Sequence, residues 1–183
     1  MKDHLYSISG ITTRKVERLA LDCDDKQLRN STWEPVGSLF EPRSEFMASV
    51  LHNSIYIAGG CSGSKMSLTN TVEKFEDQLG WSLLQLAIPK CIKNGFMLLK
   101  DPDSVMIFAG KLGIRDNNTH LVQLNSGQVD LEVDVCIHMP SVSIGRVPAI
   151  VNDICYVIAN DLSVICYDLT WKTSGFKLPI INA

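Results

Sequence analysis

The sequence predicts an all-β fold built from about four repeated units of short antiparallel strands. Three observations carry that prediction. An apolar run recurs as LYSISG at 5–10, IYIAGG at 55–60, VMIFAG at 105–110 and CYVIAN at 155–160. Each run ends on a residue type that tolerates left-handed backbone, namely Gly10, Gly60, Gly110 and Asn160, and successive ends lie 50 residues apart. Between the runs lie segments such as TVEKFE at 71–76, which alternate as half-buried strands do. An internal period of this length marks propellers or arrays.

Unit two shows the plan most clearly. Arg43 precedes a first strand, FMASVL (46–51), and His52-Asn53-Ser54 turns the chain. IYIAGG is the second strand, a polar loop follows, TVEKFE is the third, and WSLLQL (81–86) is the fourth. Unit three follows with GFMLL (95–99), VMIFAG, THLVQL (119–124) and VDLEVDV (129–135). Unit four has VPAIV (147–151), CYVIAN, SVICYDL (163–169) and a weaker strand near FKLPI (176–180). Unit one begins directly at LYSISG, continues with KVERLAL (15–21) and ends at WEPVGSL (33–39). It therefore lacks a first strand. The approximate units are 1–40, 41–89, 90–140 and 141–183 of a single repeat segment.

Composition narrows the function classes. A hydrophobic content of 45% belongs to a folded globular chain. A net charge of −3 calls for neither nucleic acid nor an anionic membrane. No apolar run approaches the roughly 20 residues of a membrane span. The N-terminus MKDHLYSISG is charged where a signal peptide has its apolar core. Six cysteines form no Cys-x-x-Cys pair, which argues against zinc ribbons and thioredoxin-like chemistry. They read as reduced thiols of a cytoplasmic protein. Cys155 and Cys166 could face each other on adjacent strands, yet buried free cysteine is the commoner state.

The unit "Arg, apolar strand, IYIAGG, loop, TVEKFE, GW-x-x-L" resembles the kelch repeat. Gly59-Gly60, Val72, Phe75, Gly80 and Trp81 stand at that family's hallmark positions, with Phe75 where tyrosine is usual. Unit one keeps Val16, Leu19 and Trp33; unit three has Gly110 followed by Lys111; unit four has Asn160 and keeps Tyr167-Asp168. The resemblance implies a kelch-type β-propeller of about four blades, the first incomplete. Kelch propellers usually have six or seven blades, so a partial or fragmentary propeller is expected. It also implies that the glycine pair permits close chain approach and that Trp33 and Trp81 fill space between blades. Tyr56 and Trp81 are then expected in the core. An open arc would leave strand edges and apolar faces exposed and prone to self-association.

Chemistry is sparse by comparison. Some kelch-like propellers are copper radical oxidases or sugar mutarotases, which leaves an enzyme acting on a sugar or small metabolite as the alternative reading. His4, His52, His120 and His138 fall at different phases of the repeat and form no His-x-His or His-x-x-His pair, so no metal or other cofactor is expected. The acids of DCDD (22–25) lack the EF-hand spacing and read as a solvated turn.

Loop charges are more informative. Successive turns of an up-and-down sheet lie at opposite ends, so the loops between strands two and three share an end with the unit-to-unit linkers. That end carries nine basic and four acidic residues, whereas the other carries four basic and nine acidic. Arg14, Arg43, Lys65, Lys93, Arg115 and Arg146 are the candidate binding residues at the basic end. Arginine and lysine gathered this way attract an acidic peptide. The expected function is a non-catalytic scaffold or adaptor that binds a protein partner, with an acidic segment the best candidate.

Overall fold

The computed structural model describes residues 4–21, 31–63, 65–88, 93, 95–102, 104–108, 118–125, 135–138, 148–158 and 164–168. Among these the chain is all-β, without a helix. Unit one contains β1 (His4–Ile8), β2 (Lys15–Ala20) and β3 (Glu34–Ser38). A short β4 (Arg43–Ser44) precedes β5 (Met47–Leu51) and β6 (Ser54–Ala58). Two further short strands, β7 (Cys61–Ser62) and β8 (Ser67–Leu68), lead to β9 (Thr71–Glu76) and β10 (Gly80–Ala87). Unit three holds β11 (Phe96–Asp101), β12 (Ser104–Phe108), β13 (Asn118–Asn125) and β14 (Val135–His138). Unit four holds β15 (Ala149–Val151), β16 (Ile154–Ile158) and β17 (Val164–Asp168).

Four antiparallel meanders result, with orders β1-β2-β3, β5-β6-β9-β10, β11-β12-β13-β14 and β15-β16-β17. The first strand is missing from unit one among the described residues, as expected. The described fourth strand of unit three is β14, Val135–His138, with Val135 opposite Leu121. Residues 129–134 and the FKLPI segment are outside the described residues.

Local chemistry sets the hairpins. His52 and Asn53 have φ of 47° and 61°, and Asn152 and Asp153 have φ of 50° and 61°. Two successive positive φ values are what a tight type I′ hairpin requires, and His, Asn and Asp tolerate them better than most side chains. The pairs Leu51↔Ser54 and Val151↔Ile154 close the two turns identically.

A fifth sheet, β4-β7-β8, is not apparent from the strand pattern. It explains the glycine pair. Gly60 has φ of 93°, and a Cβ there would lie 2.5 Å from the Ser44 carbonyl oxygen and 3.0 Å from Phe46. Only glycine lets the chain leaving β6 pass so close to the backbone entering β5.

Apolar side chains pack between sheets rather than beneath one. Val16, Leu39, Ile55, Ile57 and Phe75 form one buried cluster, with Tyr6, Ile8, Val36 and Trp81 packed against it. That cluster joins unit one to unit two. Met47, Leu51, Tyr56, Ala58, Val72, Ile88, Met97, Val105 and Ile107 form a second cluster, joining unit two to unit three. Unit two is thus buried on both faces. TVEKFE accordingly departs from simple half-burial, with Val72, Glu73 and Phe75 all buried.

Trp81 meets Phe75 at a ring-centroid distance of 5.3 Å. A Cβ added to Gly37 of β3 would touch its ring at 3.4 Å, so Trp81 spans the gap to unit one. Cys155 and Cys166 do not oppose each other. Cys155 pairs with Tyr167 and Cys166 with Tyr156, so the two thiols belong to opposite faces of the sheet. Both are free.

Candidate binding face

The β1–β2 and β6–β9 connections lie at the same end of their sheets as the linkers between units. Backbone hydrogen bonds tie loop to linker there in the same way twice: Leu39 N–H donates to Arg14 C=O at 2.9 Å, and Ile88 N–H donates to Asn70 C=O at 2.8 Å.

Arg14 is exposed in the β1–β2 connection. Its Nη1 donates to the Phe40 carbonyl at 3.3 Å, which steadies the guanidinium against the linker. Lys65 is also exposed. It sits at the tip of the β7–β8 hairpin, whose turn is closed by Met66 N–H donating to Gly63 C=O at 3.1 Å.

Lys93, from the linker after unit two, has an acidic neighbour. Its Nζ lies 3.1 Å from Glu45 Oε2, and Cys61 Sγ lies 3.9 Å from the same oxygen. The hydrogen bond to Glu45 raises the Lys93 pKa, so the ammonium stays charged. Burial raises the Cys61 pKa and Glu45 adds to it, while Lys93 opposes. The trio is a lysine–carboxylate pair over a neutral thiol. It leaves Lys93 a smaller net pull on an acidic partner than Arg14 or Lys65.

Arg43 does not belong to the face. Its side chain and that of Glu73 are both 0% exposed, with Nη2 2.6 Å from Glu73 Oε1. Nη2 also donates to Thr71 Oγ1 at 2.9 Å, and Nη1 donates to the carbonyls of Gly59 at 3.1 Å and Thr71 at 3.3 Å. The other Glu73 oxygen accepts the Phe40 N–H at 2.9 Å. Arg43 N–H donates to Ser9 Oγ at 3.0 Å. The guanidinium therefore ties β5's entry to β6, β9 and the preceding linker. A buried charge needs such a paired, hydrogen-bonded setting. Arg115 and Arg146 lie outside the described residues.

The carboxylates Glu45 and Glu73 were not apparent as partners from loop charge alone. For Glu73 a signal exists in the sequence. It shares a strand face with Phe75, two residues on, and a carboxylate on an apolar face demands a cation.

No family model matches the chain. No curated protein matches it either. Among solved structures it is similar to YjhT, with a TM-score of 0.66 and 13% sequence identity, over 99% of this chain and 64% of that one. At that identity the likeness concerns the fold, and this chain spans less than two thirds of the length of its neighbour.

Proposed function

We propose that this chain is a segment of a kelch-type β-propeller that binds an acidic protein segment at its 2–3 loops and unit linkers, as a non-catalytic scaffold or adaptor. Successive meanders stacked face to face are how propeller blades meet. The kelch hallmark residues take parts consistent with that reading: Val72 and Phe75 are buried, and Gly59, Gly60 and Gly80 have positive φ. The observation that carries the binding assignment is the placement of Arg14 and Lys65. Both are exposed cations at one end of adjacent units, on backbone fixed by its own hydrogen bonds. Preorganised cations of this kind speed encounter with an acidic peptide and select its sign.

The test is a titration with a fluorescent Glu/Asp-rich peptide at rising salt. Arg14→Glu with Lys65→Glu should weaken binding roughly tenfold at low ionic strength, and salt should erase the difference. Asp77→Lys with Asp153→Lys, at the far end, should leave it unchanged or strengthen it. Equal losses from both pairs would overturn the assignment.

A further inference from the structure

The chain makes one interface twice. Aligned strand pairs put unit one and unit two in common register: Ile8↔Val16 matches Ala58↔Val72, and Arg18↔Glu34 matches Lys74↔Ser82. In that register Tyr6, Ile8, Val16, Val36 and Leu39 of unit one correspond to Tyr56, Ala58, Val72, Leu84 and Ile88 of unit two. The first set packs on Ile55, Ile57 and Phe75 of unit two. The second set packs on Val105 and Ile107 of unit three, which correspond to Ile55 and Ile57. Units one and two therefore each present a trailing face that mates with the leading face of the next unit.

Among the described residues, the two outermost faces lack such cover. Leu5 and Trp33 hold the leading-face register of Ile55 and Trp81. Leu5 is 51% exposed where Ile55 is 4% exposed, and Trp33 is 42% exposed. At the other end Tyr156, Ile158 and Val151 hold the trailing-face register of Tyr56, Ala58 and Leu51. They are 36%, 43% and 53% exposed, whereas their counterparts are 8%, 0% and 2% exposed. Cys155, on unit four's leading face, is by contrast 0% exposed.

We infer that two copies of this chain associate head to tail, the trailing face of unit four on one copy packing on the leading face of unit one on the other. The occupant is a second copy because the chain carries both halves of an interface whose fit it already shows twice. The contact is heterologous, so it either closes into a two-fold ring or extends as a series. It rests on the observed packing and not on the acidic-peptide reading.

Sedimentation of the 183-residue chain across the micromolar range tests it, together with two exposed-site variants. Trp33→Asp disables only the leading face, and Tyr156→Asp only the trailing face. Leu5→Asp replaces the first if its circular dichroism differs from the parent. The parent should associate with rising concentration. Each variant alone should stay monomeric, because it lacks one half of every contact. Mixing the two should restore a one-to-one pair and nothing larger. A parent that remains monomeric overturns the inference. So does a single variant that associates as well as the parent, since that would mean like faces meet, and so does a mixture that fails to pair.

Discussion

Glu17 and Glu73 stand at one register of successive units, yet only Glu73 is sealed. Glu17 lies opposite Ser7 on β1 and Glu73 opposite Ile57 on β6. Glu73 is fully buried against Arg43, whereas the Glu17 side chain is 26% exposed and pairs at 2.6 Å with Lys15, itself 57% exposed. The difference follows from the chain's path. Arg43 reaches Glu73 from the entry to β5, and unit one has no corresponding strand among its described residues.

The same carboxylate should therefore matter unequally. Glu73→Ala or Arg43→Ala leaves an uncompensated buried charge and should cost about 3–5 kcal/mol. Glu17→Ala removes a partly solvated pair and should cost at most about 1 kcal/mol. Arg43→Met combined with Glu73→Leu should cost well below the sum of the singles, because neither charge is then stranded. Urea unfolding of the set decides the matter. Equal losses at Glu17 and Glu73 would show that burial does not govern the pair.

The strands of unit two were legible because a period of two and strong β formers leave little choice of register. The turn residues at 52–53 and 152–153 were legible for the same local reasons. Arg43 was not. A cation flanked by Pro42 and Ser44 reads as loop surface, and nothing local shows that β4 folds back onto β7. Its burial depends on contacts to Gly59, Thr71 and Glu73, up to 30 residues away. Those are tertiary facts, and only the misfit of Glu73 on an apolar strand face hints at them. Exposed apolar faces were expected only of an open arc, and the packing of a trailing face on a leading one is a tertiary fact carried by the two internal interfaces.

Gly60 should tolerate no side chain. Its φ of 93° is costly for any L residue, and the Ser44 carbonyl 2.5 Å from a built Cβ is backbone that cannot swing aside. Gly60→Ala should destabilise by more than about 1 kcal/mol. Gly63 also has positive φ, at 66°, but has open space around it, so Gly63→Ala should cost less. Matched thermal melts compare the two directly, and a Gly63 variant as unstable as the Gly60 variant would show that close approach is not the cause.

Trp81 contributes bulk rather than polarity. It packs on Phe75 against unit one, and its indole Nε1 is buried with no hydrogen-bond partner among the described residues. Trp81→Ala should cost about 3–5 kcal/mol, as large aromatic truncations do. Trp81→Phe gives up no hydrogen bond and should recover most of that loss. An alanine variant with an unchanged unfolding curve would contradict the packing role.

Cys155 supplies a pH signature for unit four. Burial pushes its thiol pKa up to about 12 from 9.0, with Cys166 adding a smaller push in the same direction. The folded protein therefore holds the proton at pH values where the unfolded chain releases it. The contribution of this thiol to stability is intact below about pH 9 and is lost progressively as pH rises from about 9 toward 12. Cys155→Ser retains a side chain of similar size that does not ionise in this range, so its stability should fall less steeply over that window than the parent's. Reactivity gives an independent reading, since thiolate and not thiol attacks electrophiles. At pH 8 a maleimide should label Cys166, which is partly exposed, well before Cys155, which is fully buried. Mass mapping after a short pulse separates the two, and equal early labelling would show that unit four opens at its Cys155 face.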